Sequence, residues 1–130
     1  MSYPESHFCH IAIVDDDGAV RTALSSLLRS CGYTADAYDS AQSLLDADGF
    51  DDAHCIVTDL QMPGMNGIEL LEHLRRQGNA TPLIVMTAFP EPRLRDRALQ
   101  AGACCFLSKP FDADDLMRCL RHAREEQPKH

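Results

Sequence analysis

Apolar residues fall into two alternating kinds of run along the chain. Near-continuous apolar stretches lie at Phe8 to Val14, Cys55 to Thr58, Pro82 to Thr87 and Ala103 to Ser108, with a weaker one at Tyr33 to Tyr38. Runs of this length without polar alternation suit strands buried on both faces of a sheet. Between them the apolar positions recur at helical spacing. Val20, Leu24, Leu27, Leu28 and Cys31 share one face of a first helix, and Gly32 follows where a helix commonly ends in the left-handed conformation. Ser40 offers an N-cap for a short second helix through Leu45. Asn66 with Glu69 three residues on resembles a capping box, and Ile68, Leu71 and Leu74 or Arg75 continue a third helix up to Gly78. Pro92 suits the first turn of a fourth helix, with Leu94, Ala98 and Leu99 ahead of a closing Gly102. Asp112 and Asp115 start a fifth, which sets Leu116, Leu120 and Ala123 on its buried face and Arg118, Arg121 and Arg124 toward its C-terminal, negative end. The polar residues after Arg124 predict a frayed tail.

Five strand-then-helix units with short links predict an α/β fold, a doubly wound five-stranded parallel sheet with helices on both faces. Right-handed crossovers favour the flavodoxin-like strand order 2-1-3-4-5, whose ligands bind at the carboxyl ends of strands one and three. A single domain over residues 1–130 is expected from this length, which is too short for two domains of ordinary size.

Composition narrows the function. With 45% hydrophobic and 25% charged residues the chain reads as globular. Its formal net charge of −8 argues against direct nucleic-acid binding, which rests on clustered Lys and Arg releasing counterions. No stretch approaches a membrane span and no secretory signal opens the chain, so a cytoplasmic protein without membrane contact is expected. The six cysteines, Cys9, Cys31, Cys55, Cys104, Cys105 and Cys119, show no CxxC or metal-finger spacing. They are expected to be reduced and mostly core filler, and the adjacent Cys104 and Cys105 to point to opposite faces of a strand. The histidines, including His7, His10 and His130, lack ligand spacing such as HExxH and read as surface or structural.

The chemistry gathers at strand ends. Asp15, Asp16 and Asp17 end the first strand and Asp59 ends the third, so parallel neighbours bring their carboxylates into one crevice. Crowded like charges need neutralising. Mg²⁺ takes oxygen ligands and typically binds one or two carboxylates together with a phosphate, so the pattern implies both a metal and a phosphoryl ligand. Thr87 closes strand four with a hydroxyl donor and Lys109 closes strand five with an ammonium suited to phosphate oxygens. Lys109 precedes Pro110, where a cis bond would fix the direction of the lysine. Taken singly, each residue has an ordinary explanation: a turn aspartate, a β-forming threonine, a solvated lysine, a core phenylalanine at 106. Their joint placement is what points to a site.

The segments IVDDD at Ile13 to Asp17, VTDLQMPGMNG at Val57 to Gly67, VMTA at Val85 to Ala88 and LSKPF at Leu107 to Phe111 resemble the receiver domain of two-component response regulators, the CheY-like fold. The resemblance covers about His10 to Ala123 and is closest to regulators of the nitrogen-fixation type, whose receivers usually precede a helix-turn-helix DNA-binding domain. It implies that Asp59 is the phosphoacceptor, forming a 4-aspartylphosphate. Asp16 becomes the main Mg²⁺ ligand, with Asp59 and the backbone carbonyl of Gln61 completing the protein's share and Asp15 acting through water; Mn²⁺ is an allowed substitute. Thr87, the amide of Ala88 and Lys109 would hold phosphoryl oxygens, and Thr87 with Phe106 would form the switch. Asp17 is left as surface.

The implied partners are a histidine kinase or phosphotransfer protein and a downstream effector or fused helix-turn-helix domain. The face of the fourth helix, fifth strand and fifth helix would change on phosphorylation and support a homodimer. Phe106 lacks the hydroxyl of the tyrosine found in many relatives, so packing must hold the ring. Phe89, Pro90 and Pro92 stiffen the turn after Thr87, and Phe89 and Gln61 flank the expected path of attacking water. An aspartyl-phosphate phosphatase would need a general acid two residues after the nucleophile, where Gln61 cannot serve, so no activity beyond self-phosphorylation and dephosphorylation is expected. A degenerate receiver working as a phosphorylation-independent interaction module is the alternative; it predicts loss of site residues that are all present.

Overall fold

The computed structural model describes residues 9–126; Phe8, His7, His130 and the last four residues lie outside the described residues. The strands are β1 (His10–Val14), β2 (Thr34–Tyr38), β3 (Cys55–Asp59), β4 (Leu83–Thr87) and β5 (Cys105–Ser108). They form one parallel sheet in the order β2-β1-β3-β4-β5, as the sequence pattern predicts. The helices are α1 (Gly18–Ser30), α2 (Ala41–Asp46), α3 (Gly49–Asp52), α4 (Gly67–Arg76), α5 (Pro92–Ala101) and α6 (Ala113–Glu126). Every residue of β3 and β4 is buried, which accounts for their unbroken apolar runs.

Alternation along the strands feeds two cores. Ile11, Ile13, Val57, Ile84 and Met86 pack with Leu24 and Leu28 of α1 and Leu116 and Leu120 of α6. Ala12, Val14, Ile56, Leu83 and Val85 face the other way, onto Leu44 of α2, Leu70, Leu71 and Leu74 of α4 and Ala98 of α5. Each fully buried Leu or Ile contributes about 1.5–3 kcal/mol, so the two layers hold the strand ends rigid beneath the site.

Local signals explain the helix ends. Asp17, expected to be plain surface, is exposed but also caps α1, its carboxylate accepting from the Ala19 amide. Ser40 caps α2. Both bonds of the Asn66 and Glu69 capping box are present. Gly102 ends α5 at φ 112°, a conformation that costs glycine nothing. The short helix α3 was not predicted: four residues carry no helical periodicity, and its preceding residue Asp48 is left-handed at φ 53° without a side-chain cap.

Three expectations about side chains need correction. Cys31, counted on the apolar face of α1 and among the core-filling cysteines, is its exposed C-cap, and Leu99, counted in the apolar pattern of α5, stays 38% exposed. The six cysteines are not all reduced: Cys105 of β5 and Cys119 of α6 form a disulfide, with Cα atoms 5.8 Å apart. They are remote in sequence but face each other across the strand–helix contact, a tertiary proximity that spacing along the chain does not encode. Because β5 begins at Cys105, Cys104 precedes the strand, and both cysteines pack toward the α1 and α6 layer rather than to opposite faces.

Candidate functional site

The register places the chemistry. Val14 pairs with Thr58, so Asp15 and Asp59 are the next residues beyond that pair, side by side at the carboxyl edge of the sheet. Thr87 pairs with Ser108, and the Lys109 amide donates to the Thr87 carbonyl at 2.7 Å, bringing the lysine to the same edge. The Lys109–Pro110 bond is cis.

Lys109 Nζ lies 2.9 Å from Asp15 Oδ2 and 3.1 Å from Asp59 Oδ1. One ammonium therefore faces two nearly buried carboxylates. The other oxygen of Asp15 accepts from the Asp17 amide at 2.9 Å, and the Asp15 carbonyl accepts from Arg21 Nη1 at 2.8 Å. Asp16 is exposed, and oxygens of Asp15, Asp16 and Asp59 all come within 4.8 Å of one another. Burial raises the Asp59 pKa, and Asp15 and Asp16 push it the same way against the hydrogen bond and charge of Lys109. Burial would lower Lys109, but hydrogen bonds to Asp15 and Asp59 and their charges outweigh it, and its pKa is raised. Three carboxylates against one ammonium leave the pocket short of positive charge. The donor set is hard oxygen on one open side, which fits Mg²⁺.

Thr87 is fully buried, and its hydroxyl is committed in both roles: it donates to Gln61 Oε1 at 2.8 Å and accepts from the Phe89 amide at 3.0 Å. Ala88 is exposed beside it. Phe89 stands 67% exposed at the rim. Phe106 is half-buried against the layer that contains α4 and α5. The structure thus brings Asp15, Asp16, Asp59, Thr87 and Lys109 to one edge of the sheet, with Gln61 joined to Thr87.

Sequence reasoning missed one member and one role. Gln61 entered through its backbone carbonyl, its place near the path of water and its inability to act as a general acid, whereas its side chain holds the Thr87 hydroxyl. Arg21 sits one turn into α1 and braces the end of β1; an arginine following the acidic run on a helix that packs behind it was the available signal.

The family model for the response regulator receiver domain matches residues 11–121. This chain belongs to the response regulator receiver domain family. It is similar to the transcriptional regulatory protein FixJ of Bradyrhizobium diazoefficiens, 39% identical over 120 residues that cover 92% of this chain and 58% of that protein. The FixJ of Azorhizobium caulinodans is 42% identical over 118 residues, covering 91% and 55%. The receiver domain here therefore spans about half the length of these relatives. Among solved structures it resembles FixJ-N, with a TM-score of 0.84 at 31% identity, covering 94% of this chain and 98% of that one. No helix among the described residues is long and apolar enough to cross a membrane.

Proposed function

We propose that this receiver domain is a phosphorylation-activated switch of a two-component system, acting in the cytoplasm. It takes a phosphoryl group from the phosphohistidine of a histidine kinase or phosphotransfer protein onto Asp59. The observation that carries the reading is the convergence of Asp59 with Asp15, Asp16 and Lys109 at one sheet edge, within reach of one metal ion.

Asp16, Asp59 and the Gln61 carbonyl would hold Mg²⁺ directly, with Asp15 acting through water. When bound, the ion offsets charge on the carboxylates and on the incoming phosphoryl oxygens. Asp59 is the nucleophile: one of its oxygens bonds to phosphorus as the bond from phosphorus to the donor imidazole nitrogen breaks, leaving an acyl phosphate and, as the departing ring takes up a proton from solvent, a neutral histidine. Lys109, already at 3.1 Å from Asp59 Oδ1, stays beside the reacting oxygens and anchors their equatorial charge. Asp15 keeps that ammonium aimed at the pocket.

The output follows from Thr87. A hydroxyl has one proton, and here Gln61 accepts it. To donate to a phosphoryl oxygen, Thr87 must leave Gln61 and turn toward Asp59, with the Ala88 amide as the second donor. Phe106, held by packing alone, then moves into the space behind, and the face of α5, β5 and α6 changes. The phosphoryl group shifts this equilibrium only by as much as it favours one state. The altered face engages an effector or a fused helix-turn-helix domain, or a second copy of the chain.

Intact-mass spectrometry after incubation with acetyl phosphate tests the chemistry. One phosphoryl group should be gained with Mg²⁺ present, and none with a chelator or in Asp59→Asn. An unmodified wild-type chain that also fails to bind beryllofluoride would replace this reading with a phosphorylation-independent interaction module.

A further inference from the structure

The disulfide lies outside the phosphoryl site, on the opposite side of β5 from Phe106. Cys105 opens β5 and packs with the α1 and α6 layer, whereas Phe106, the next residue, packs with the layer of α4 and α5. Cys119 sits in the middle of α6, 4% exposed, and the bond joins residues 14 apart. Their Cα separation of 5.8 Å is in the range that lets a disulfide close without moving the backbone.

The remaining cysteines are poor competitors. Burial pushes the Cys104 thiol up to about 12 and raises the Cys55 thiol well above its usual value, so neither supplies thiolate near neutral pH. Cys9 and Cys31 have more access to solvent and no cysteine joined to them. Cys105 combines partial exposure with a resolving partner already in place.

We propose that Cys105 and Cys119 are a reversible redox site, closed by low-molecular-weight disulfides and opened by thiols, that sets how firmly α6 is held to β5. In closing, the Cys105 thiolate attacks one sulfur of the small disulfide, forming a mixed disulfide and expelling the other half as a thiolate. Cys119 gives up its proton and attacks Cys105 Sγ, breaking the mixed bond and releasing the second thiolate. Two protein thiols are oxidised, and one small disulfide is reduced to two thiols. The closed form ties the centre of α6 to the first residue of β5, next to Phe106. In the open form only packing holds that helix.

The bond itself is independent of the phosphorylation reading, and so is its test. The whole chain is reduced with excess thiol, desalted and placed in glutathione buffers of increasing oxidised fraction. Acid quenching, alkylation in denaturant and peptide mapping then follow, with amide hydrogen exchange on the two end states. The expected result is a single bond between Cys105 and Cys119, alkylated Cys9, Cys31, Cys55 and Cys104, full reversal by thiol, and slower exchange across α6 in the oxidised form. Cys119→Ser should stop at a glutathione adduct on Cys105. Four outcomes would overturn the proposal: a persistent dithiol in fully oxidised buffer, a bond between Cys104 and Cys105, oxidation led by Cys31, or α6 exchange that is the same in both states.

Discussion

Gly67→Ala sets two physical effects against each other at the phosphoacceptor. Gly67 is the first residue of α4, and exchanging a helical glycine for alanine ordinarily gains up to about 1 kcal/mol from lost backbone freedom in the unfolded chain. Here an added Cβ would lie 2.7 Å from the backbone carbonyl oxygen of Asp59 and 3.2 Å from both Leu60 Cα and Thr58 Cγ2. Two of these neighbours are backbone at the end of a fully buried strand, so no flexible side chain can move aside. Overpacking of this kind costs about 1–3 kcal/mol, which outweighs a propensity gain that is already smaller at a helix terminus. The net expectation is a loss of about 1–2 kcal/mol by the same reasoning. With an m-value of about 2 kcal/mol per molar, that lowers the urea midpoint by about 0.5–1 M. Phosphorylation by acetyl phosphate should slow as well, because the atom displaced belongs to Asp59. Gly18→Ala is the control: its Cβ would meet only the Arg21 guanidinium, at an ordinary contact distance of 3.4 Å, and stability should hold or rise slightly. A Gly67→Ala midpoint equal to or above wild type would refute the close-contact argument.

Three further outcomes are expected. Asp59→Asn should melt higher than wild type at neutral pH in chelator. Burial and the neighbouring acids raise the Asp59 pKa, so its ionised form costs stability as pH rises through that pKa; a melting point equal to or below wild type would contradict this. Added Mg²⁺ should narrow the gap. Gln61→Ala releases the Thr87 proton; at about 1 kcal/mol for one hydrogen bond, beryllofluoride binding measured by fluorescence or calorimetry should tighten about fivefold, and unchanged or weaker binding would remove the latch. Cys104, pushed up to about 12 by burial, should resist alkylation at pH 8 in the native state and react once unfolded. Between about pH 9 and 12 the native state keeps a proton that the unfolded chain loses, so wild-type stability should fall there more steeply than that of Cys104→Ala.

The sheet was legible because its signals are local and repeated. Buried parallel strands leave unbroken apolar runs, and caps such as Ser40, Asn66 with Glu69, and Gly102 mark helix ends by side-chain chemistry close in sequence. Strand order followed from crossover handedness, and with it came the meeting of Asp15, Asp59 and Lys109, separated by up to 94 residues. What escaped depends on tertiary detail. The turn at α3 is too short to show a period. The Thr87 bond to Gln61 joins side chains 26 residues apart, and the Cys105 bond to Cys119 depends on which turn of α6 faces β5. Residue types marked where the charges meet; only the packed structure shows which partner holds each one.

The most direct measurement is borohydride trapping. The chain is phosphorylated with acetyl phosphate and Mg²⁺, quenched and reduced, which converts an aspartyl phosphate to homoserine, and the peptides are sequenced by mass spectrometry. Homoserine at position 59 alone, abolished by chelator, is the predicted result. Homoserine at Asp15 or Asp16, or none at any aspartate while wild-type protein still folds and binds Mg²⁺, would contradict the account.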